Sequence, residues 1–223
     1  MKKQSLAAAF LAGALVLSSC GASNAVKGAG IGAAGGAGIG AGIGRVLGNT
    51  AVGAVVGGVV GGTAGTLIGK KMDQQKKELE RDVKDAKIES VNDGQAIRVT
   101  FDSGILFATG SASLSSTSQA TLRKFAANLS EHSDTDLMII GHTDNTGTDR
   151  VNNPLSYNRA ASVRSFLAGQ GVSSSRMKVE GKGSYEPVAD NSTVAGRREN
   201  RRVEVYILPS KAMVKAAQDG TLR

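Results

Sequence analysis

The spacing of apolar residues after Ser90 predicts alternating strands and helices. Residues 96–101 alternate apolar and polar side chains as a strand does, and the continuous apolar run at 137–140 is typical of a central strand buried on both faces. A helical stripe with the spacing i, i+3, i+4 and i+7 lies between them, formed by Leu122, Phe125, Ala126 and Leu129.

A second helix and two more strands continue this pattern. Asn153 followed by Pro154 favours a helix that begins at this pair and ends near Gly169 or Gly171. Residues 177–179 and 203–207 have the composition of strands. Because strands and helices alternate, we expect an α/β (α+β) fold in which a layer of helices packs on a mixed sheet.

Residues 28–69 have a different pattern, with glycine at every fourth position in two sets. The first set runs from Gly28 to Gly48 and the second from Gly53 to Gly69, with Asn49-Thr50 between them. This spacing places glycine along one helix face, where two backbones can approach closely. We therefore predict a glycine-zipper helical hairpin.

Each arm of this hairpin has about 20 residues, or ~30 Å of helix, which matches the hydrocarbon core of a bilayer. We expect the hairpin to lie in or on a membrane. Two alternatives remain open, namely a flexible low-complexity spacer and an oligomerisation element that packs between copies of the chain.

The charged segment at 70–90 follows the glycines. Of the 20 residues from Lys70 to Glu89, 13 are charged, with both signs interleaved, and Leu79, Val83 and Ala86 recur at helical spacing. This pattern predicts a charged helical linker, solvated on most faces, that serves as a spacer before a domain at 91–208. Residues 209–223 are assigned to a C-terminal tail.

The amino terminus has the layout of an export signal. Residues 1–19 combine Lys2 and Lys3 with an apolar run and small residues before Cys20, which predicts a signal peptide. The segment from Leu17 to Cys20 resembles a bacterial lipobox. The resemblance implies cleavage before Cys20, acylation of Cys20 (palmitate), and residues 20–27 as a lipidated N-terminus. Gly21 implies sorting to the outer membrane, and plain secretion with a free Cys20 thiol is the alternative.

Composition and charge exclude several classes of function. The net charge is +8, but tryptophan is absent, aromatic residues make up 4% of the chain, and no basic stripe emerges, so we expect no nucleic-acid partner. The single cysteine and two histidines do not make a metal site. No carboxylate pair or nucleophile with its base stands out, so we expect neither an enzyme nor a cofactor.

Candidate chemistry converges where the buried strand ends. Thr143 and Asp144 follow that strand, and Arg159 lies 15 residues after Asp144 in the next helix. A carboxylate, a guanidinium and a helix N-terminus together suit a ligand that carries both an ammonium and a carboxylate, such as an amino-acid zwitterion. A surface ion pair with no ligand is the alternative.

These residues belong to a longer signature that resembles OmpA-like, peptidoglycan-associating domains. The first part of the signature consists of Thr143-Asp144, Gly147, Asn152, Leu155-Ser156, Arg159-Ala160 and Val163. Its later part consists of Gly183, Pro187, Gly196-Arg197 and the run from Asn200 to Glu204. The similarity covers roughly residues 95–208. With a lipobox and a glycine zipper in front, the whole chain is similar to small outer-membrane lipoproteins that carry such a domain.

This resemblance implies a two-layer sandwich that binds the diaminopimelate residue of the peptidoglycan stem peptide. By position, Asp144 would hold the free ammonium and Arg159 the terminal carboxylate. Asn152, Thr143 and Leu155 fall in the family's pocket-forming loop and helix start. Val151 stands where many members have tyrosine, so one aromatic pocket wall is expected to be missing.

Two further interpretations concern the basic residues and the function. Arg197, Arg198, Arg201 and Arg202 form a basic cluster interleaved with glutamates, for which we expect ion pairing under the last strand, with contact to anionic glycan or lipid as the alternative. The expected function is a non-covalent, lipid-anchored tether between outer membrane and wall, with the C-terminal domain in the periplasm of a Gram-negative bacterium. The alternative is an envelope assembly or oligomeric scaffold protein that acts through the glycine zipper and binds the wall only for localisation.

Lipidation at Cys20 is directly testable. Metabolic labelling with a palmitate analogue should mark the wild-type chain, because the lipobox implies acylation of Cys20. The attached acyl chains would contribute ~0.8 kcal/mol of membrane affinity per buried CH₂. The variant Cys20→Ala should carry no label. Label that persists in this variant would rule out Cys20 as the modified residue.

Overall fold

The computed structural model describes residues 60–108 and 110–223. In chain order, the helices and strands are α1 (Thr63–Asp82), β1 (Lys87–Val91), β2 (Ala96–Asp102), α2 (Ser103–Leu106), α3 (Ser116–Glu131), β3 (Thr135–Gly141), α4 (Asp149–Gly169), β4 (Met177–Gly181), α5 (Val194–Asn200), β5 (Arg202–Pro209) and α6 (Lys211–Gln218). A 3₁₀ turn at Ser174–Arg176 precedes β4. The signal peptide, Cys20 and most of the predicted glycine-zipper hairpin lie outside the described residues.

The strands form one five-stranded mixed sheet in the order β1-β2-β5-β3-β4. Neighbouring strands are antiparallel except β3 and β4, which are parallel and are joined through α4. A parallel pair needs such a crossover, and the crossover places the start of α4 beside the carboxyl end of β3. The expected α/β (α+β) fold with a helix layer on a mixed sheet is confirmed.

The core lies between the sheet and the helices. Alternate residues of β2, β5 and β3 point into it, and the side chains of Phe101 and Phe125 meet edge to face, with ring centroids 5.5 Å apart. Both rings are fully buried. This contact joins the central sheet to α3 and uses the quadrupole geometry that aromatic pairs favour.

Helix α1 belongs to the same core. Its buried stripe consists of Ala64, Ile68, Met72, Gln75 and Leu79. Polar contacts reinforce the packing: Gln75 Nε2 donates to Asn128 Oδ1 at 3.0 Å within the buried interface, and the carboxylate of Glu78 lies 2.6 Å from His132 Nε2. The helix is therefore docked on the domain over its whole length.

The structure differs here from the charged helical linker predicted over 70–90. The charges lie on the outer side of α1, while its inner side is an apolar stripe that begins at Ala64, inside the segment assigned to the hairpin. Dividing the sequence at residue 70 split that stripe in two and made the helix look solvated. Beyond it, Lys87–Val91 forms an edge strand paired with β2 and not a helix.

Two other boundaries also differ from expectation. Helix α4 begins at Asp149, four residues before the predicted start, and Pro154 lies inside it. A proline this close to the helix start removes only one backbone hydrogen bond. The segment assigned to a C-terminal tail contains α6, whose Met213, Val214 and Ala217 are buried against the same core as α1.

The docking of α1 predicts a stability effect. Leu79→Ala should lower the free energy of unfolding by about 2–5 kcal/mol, because it leaves a cavity at a fully buried position. Lys77→Ala, at an exposed position of the same helix, should change it by no more than about 0.5 kcal/mol. Urea unfolding of both variants measures the difference, and equal stability would mean that α1 is a free spacer.

Candidate functional site

The site begins where two glycines let α4 approach the sheet. Gly141 and Gly181 are paired in register at the ends of β3 and β4. A Cβ at Gly141 would collide with the carbonyl oxygen of Ser156, and one at Gly181 would collide with the backbone of Tyr157. This close contact seats the start of α4 beside the loop 142–148, which carries Asp144.

That loop is held in one conformation by short-range hydrogen bonds. The backbone N–H of Thr146 donates to Asp144 Oδ1 at 2.8 Å. From α4, Asn152 Nδ2 donates to the carbonyl oxygens of Asp144 at 3.3 Å and Thr146 at 3.2 Å. Asn152 is buried, and its role in the site is to hold the Asp144 loop from the first turns of α4.

Asp144 forms an ion pair with Arg201. The side chain of Asp144 is 8% exposed, and its Oδ2 accepts a hydrogen bond from Arg201 Nη1. Burial raises the pKa of Asp144, but the hydrogen bonds from Arg201 and Thr146 outweigh it, so this pKa lies below its ordinary value. Asp144 is therefore a carboxylate at neutral pH.

Arg159 brings a second guanidinium to the same place. The residue is 3% exposed, its Nε donates to the carbonyl oxygen of Ser111 at 3.0 Å, and its guanidinium carbon lies 5.4 Å from the centre of the Phe107 ring. Among the described residues, no hydrogen bond from its two terminal nitrogens is found. The planar fork is thus fixed in position, with its ends available to a carboxylate.

The three charges act on one another. Burial lowers the pKa of Arg159, Arg201 lowers it further, and Asp144 raises it. The opposite charges of Asp144 and Arg159, which the sequence predicted to lie together, therefore interact electrostatically. Arg201 is the third charged group of this unit. The net charge of one positive unit favours an anionic ligand group, while the separate carboxylate and guanidinium suit the two ends of a zwitterion.

The remaining predicted residues border this unit. The backbone N–H of Thr143 donates to the carbonyl oxygen of Gly183 at 2.8 Å, and its buried Oγ1 has no hydrogen bond with the described residues. Leu155 is half-buried, one turn after Asn152. Val151 is 57% exposed in the first turn of α4, and Cys20 lies outside the described residues.

The loop that follows β4 closes the opposite side of the site. Asn200 holds this loop in position, because its Oδ1 accepts hydrogen bonds from the backbone N–H groups of Val188 and Ala189 at 2.8 and 3.0 Å. Asn191 Oδ1 in turn accepts from the backbone N–H of Asn145 at 3.3 Å. The Asp144 loop is therefore bordered by α4 on one side and by residues 183–191 on the other.

Three of the four arginines in the basic cluster form ion pairs, as expected, whereas Arg197 donates to backbone carbonyl oxygens. Arg202 Nε donates to Glu204 Oε1 at 2.7 Å in a buried pair, and Arg198 binds Asp102 at 2.7 Å. Arg201, however, binds Asp144, which the sequence analysis did not foresee. The sequence marks Arg201 as part of the family signature at 200–204. It does not show that Arg201 contacts Asp144, which lies 57 positions earlier in the chain.

His142, the first residue after β3, is buried beside the Asp144 loop. It is 1% exposed, both ring nitrogens lack hydrogen bonds among the described residues, and Nε2 lies 3.9 Å from Glu204 Oε2. Burial lowers its pKa from 6.5 to about 4, assisted by Arg202 and Lys182 and opposed by Glu204. His142 is therefore neutral at pH 7 and is part of the packing beneath the site.

Most of residues 28–69, the segment predicted to lie in or on a membrane, falls outside the described residues. Across residues 60–108 and 110–223, the helices are too short or too polar to cross a bilayer.

Two family models match the chain. The model of the OmpA family matches residues 106–201. The model of the YMGG-like Gly-zipper matches residues 1–73. The recognition of a glycine zipper followed by an OmpA-like domain is thereby confirmed.

Two similar proteins each match part of this chain. The chain is 36% identical over 142 residues to the probable lipoprotein YiaD of Escherichia coli (strain K12), a match that covers 64% of this chain and 65% of YiaD. It is 38% identical over 112 residues to the peptidoglycan-binding protein ArfA of Mycobacterium bovis, covering 50% of this chain and 34% of ArfA. These matches span about two thirds of YiaD and one third of ArfA.

A solved structure shares the fold. The cell wall anchor of the T6SS from Pseudomonas aeruginosa superposes with a TM-score of 0.55 at 31% identity, covering 61% of this chain and 97% of that one. The OmpA-like two-layer architecture is thus supported by sequence and by structure.

Buried neutral His142 predicts how stability changes with pH. Because its pKa is about 4 in the folded state and 6.5 when unfolded, the unfolded state takes up a proton first as pH falls. From pH 7 to pH 5, this residue should lower the free energy of unfolding by about 2 kcal/mol.

Urea unfolding of wild type and His142→Gln at the two pH values measures this contribution. The variant should lose about 2 kcal/mol less than wild type over the same interval. Parallel losses would show that His142 takes up its proton equally in both states.

Proposed function

We propose that this chain, whose residues 106–201 belong to the OmpA family, binds peptidoglycan without cleaving it and links the cell wall to a membrane. The observation that carries the proposal is the convergence of Asp144, Arg159 and Arg201 at the end of β3. The names of similar proteins support the same function: ArfA is called peptidoglycan-binding, and the structural relative is called a cell wall anchor.

The ligand class follows from the charges. Diaminopimelate in a stem peptide presents a free ammonium and a carboxylate on the same carbon. Asp144 would accept from the ammonium and the Arg159 fork would donate to the carboxylate. The nearby N-terminus of α4 adds a positive partial charge on the side where a carboxylate would lie.

Arg201 does not prevent binding of an ammonium. A carboxylate offers about four lone-pair positions, and the hydrogen bonds to the side chain of Asp144 come from Thr146 and Arg201. A ligand ammonium can add to these contacts. Without a ligand, Arg201 neutralises the buried carboxylate, which would otherwise destabilise the fold.

The affinity of one site is expected to be modest. Hydrogen bonds to charged groups contribute about 1.5–3 kcal/mol each, so the two contacts together give weak, reversible attachment. Weak attachment is sufficient for a tether, because an anchored protein meets many equivalent sites on the wall at high effective concentration.

The location proposed for the protein is the cell envelope. Its similarity to the probable lipoprotein YiaD supports an envelope location. We propose the finer arrangement predicted from the sequence: a lipid on Cys20 in the outer membrane and the domain on the periplasmic side. The match of residues 1–73 to a Gly-zipper model supports a separate role for that segment in the membrane or in oligomerisation.

The site assignment is tested by co-sedimentation of the full-length protein with purified sacculi in detergent. Asp144→Asn keeps the shape of the side chain but removes its charge, and Arg159→Gln removes the fork. Each should weaken binding by roughly 10- to 100-fold, the equivalent of one charged hydrogen bond. Thermal unfolding should show that both variants remain folded.

Asp102→Asn is the matched control, because Asp102 forms another Asp–Arg pair in the same domain, with Arg198. It should co-sediment as wild type does. Wild-type binding by Asp144→Asn and Arg159→Gln would remove the site assignment. Release of soluble muropeptides from the sacculi would identify an enzyme instead.

A further inference from the structure

The exposed apolar side chains of this protein are not scattered. Among the described residues, five large apolar side chains are exposed: Val151, Tyr157, Tyr185, Val188 and Val194. All five lie on α4 or in the segment from the end of β4 to the start of α5, the two stretches that border the Asp144 loop. Single exposed apolar residues are common on protein surfaces, but their concentration around one site marks an interaction surface.

Within this surface, one side of α4 lies along residues 181–185, and we call this contact line the seam. A tyrosine lies at each of its two ends. Asp149, Asn153 and Tyr157 form a stripe on α4, since they are four residues apart. The stripe runs along residues 181–185: Gly181 lies against the backbone of Tyr157, and Gly183 lies against Asn153 Oδ1. At the other end, the hydroxyl of Tyr185 donates to Asp149 Oδ2 at 2.8 Å. The seam is ~12 Å long at 1.5 Å per helical residue.

The Tyr185 end of the seam adjoins the proposed ligand site. The carbonyl oxygen of Gly183 accepts from the N–H of Thr143, next to Asp144. Asn152, three residues after Asp149, holds the Asp144 loop. Tyr185 is 62% exposed although its hydroxyl is tied down. Its ring is therefore a fixed, accessible aromatic face at the mouth of the site.

We propose that Tyr185, with Tyr157 behind it, is a platform for the sugar of the glycan strand. This inference rests on the proposed function, because a stem peptide bound at Asp144 is joined covalently to N-acetylmuramic acid close by. A pyranose ring has an apolar C–H face and polar edges, which suits an anchored aromatic ring.

The platform makes affinity depend on sugar as well as on peptide. Tyrosine offers a large contact area with few rotatable bonds, and the hydrogen bond to Asp149 reduces the ordering required on binding. Asp144 and Arg159 would recognise the stem peptide, and Tyr185 would add preference for a peptide still attached to its glycan. Loss of Tyr185 should therefore affect ligands with and without sugar differently.

The test uses the full-length protein in detergent and two probes. One probe is the sugar-free diaminopimelate tripeptide of the stem, and the other is the same tripeptide on the N-acetylglucosamine–N-acetylmuramic acid disaccharide. Calorimetric titration with wild type should show tighter binding of the disaccharide form. Tyr185→Ala should weaken that binding about three- to tenfold and leave the sugar-free tripeptide within about twofold.

Tyr185→Phe keeps the ring and loses only the bond to Asp149, so it should lose less affinity for the disaccharide form than Tyr185→Ala. Lys215→Ala, at an exposed position on α6, is the control and should match wild type with both probes. Equal losses for the two probes, or no loss for either, in Tyr185→Ala would overturn the platform. A change in oligomeric state in that variant, measured by analytical ultracentrifugation, would assign the surface to a second copy of the chain and overturn it too.

The same measurements separate this inference from the proposed function. Asp144→Asn should lose affinity for both probes, whereas Tyr185→Ala should lose affinity only for the probe that carries the disaccharide. If wild type binds the tripeptide through Asp144 but has no preference for the disaccharide, only the platform is wrong. If wild type binds neither probe, the proposed function fails and the platform with it.

Discussion

A buried carboxylate that pairs with one arginine and lies near a second organises this site. Asp144 is almost fully buried, and a buried charge persists in a fold only when it is paired and hydrogen-bonded. Arg201 and the backbone of Thr146 provide that compensation, while Arg159 lies close enough to interact electrostatically with both charged groups. The arrangement retains one excess positive charge, which favours an anionic group near the Arg159 guanidinium.

The backbone geometry around these charges depends on small residues. Gly141 and Gly181 allow α4 to lie directly on the ends of β3 and β4, which brings Asn152 and Arg159 to the loop after β3. The same contact creates the seam between α4 and residues 181–185, where Tyr157 and Tyr185 are exposed. One close helix–strand approach therefore positions both the charged residues of the site and the exposed tyrosines of the neighbouring seam.

Helix α1 changes how the glycine-rich segment and the domain are connected. Because α1 packs from Ala64 to Leu79 on the domain core, the chain passes from the glycine repeat into a docked helix without a free spacer. Its contacts with α3 and α6 include the Glu78–His132 and Gln75–Asn128 pairs as well as apolar packing.

The sequence by itself determined the strands β2, β3, β4 and β5, the helices α3 and α4, the glycine repeat and the candidate pair Asp144 and Arg159. These features depend on local periodicity or on a signature of nearby residues, so they can be recognised without coordinates. It misplaced α1 because the apolar stripe of this helix crosses the boundary drawn at residue 70, and it missed β1 because that strand is defined by its pairing with β2. Only the tertiary structure decided the partnership of Arg201 with Asp144, the burial of His142 and the gathering of exposed tyrosines at one seam. Each of these joins residues far apart in the chain, and such contacts are fixed by how helices pack on the sheet.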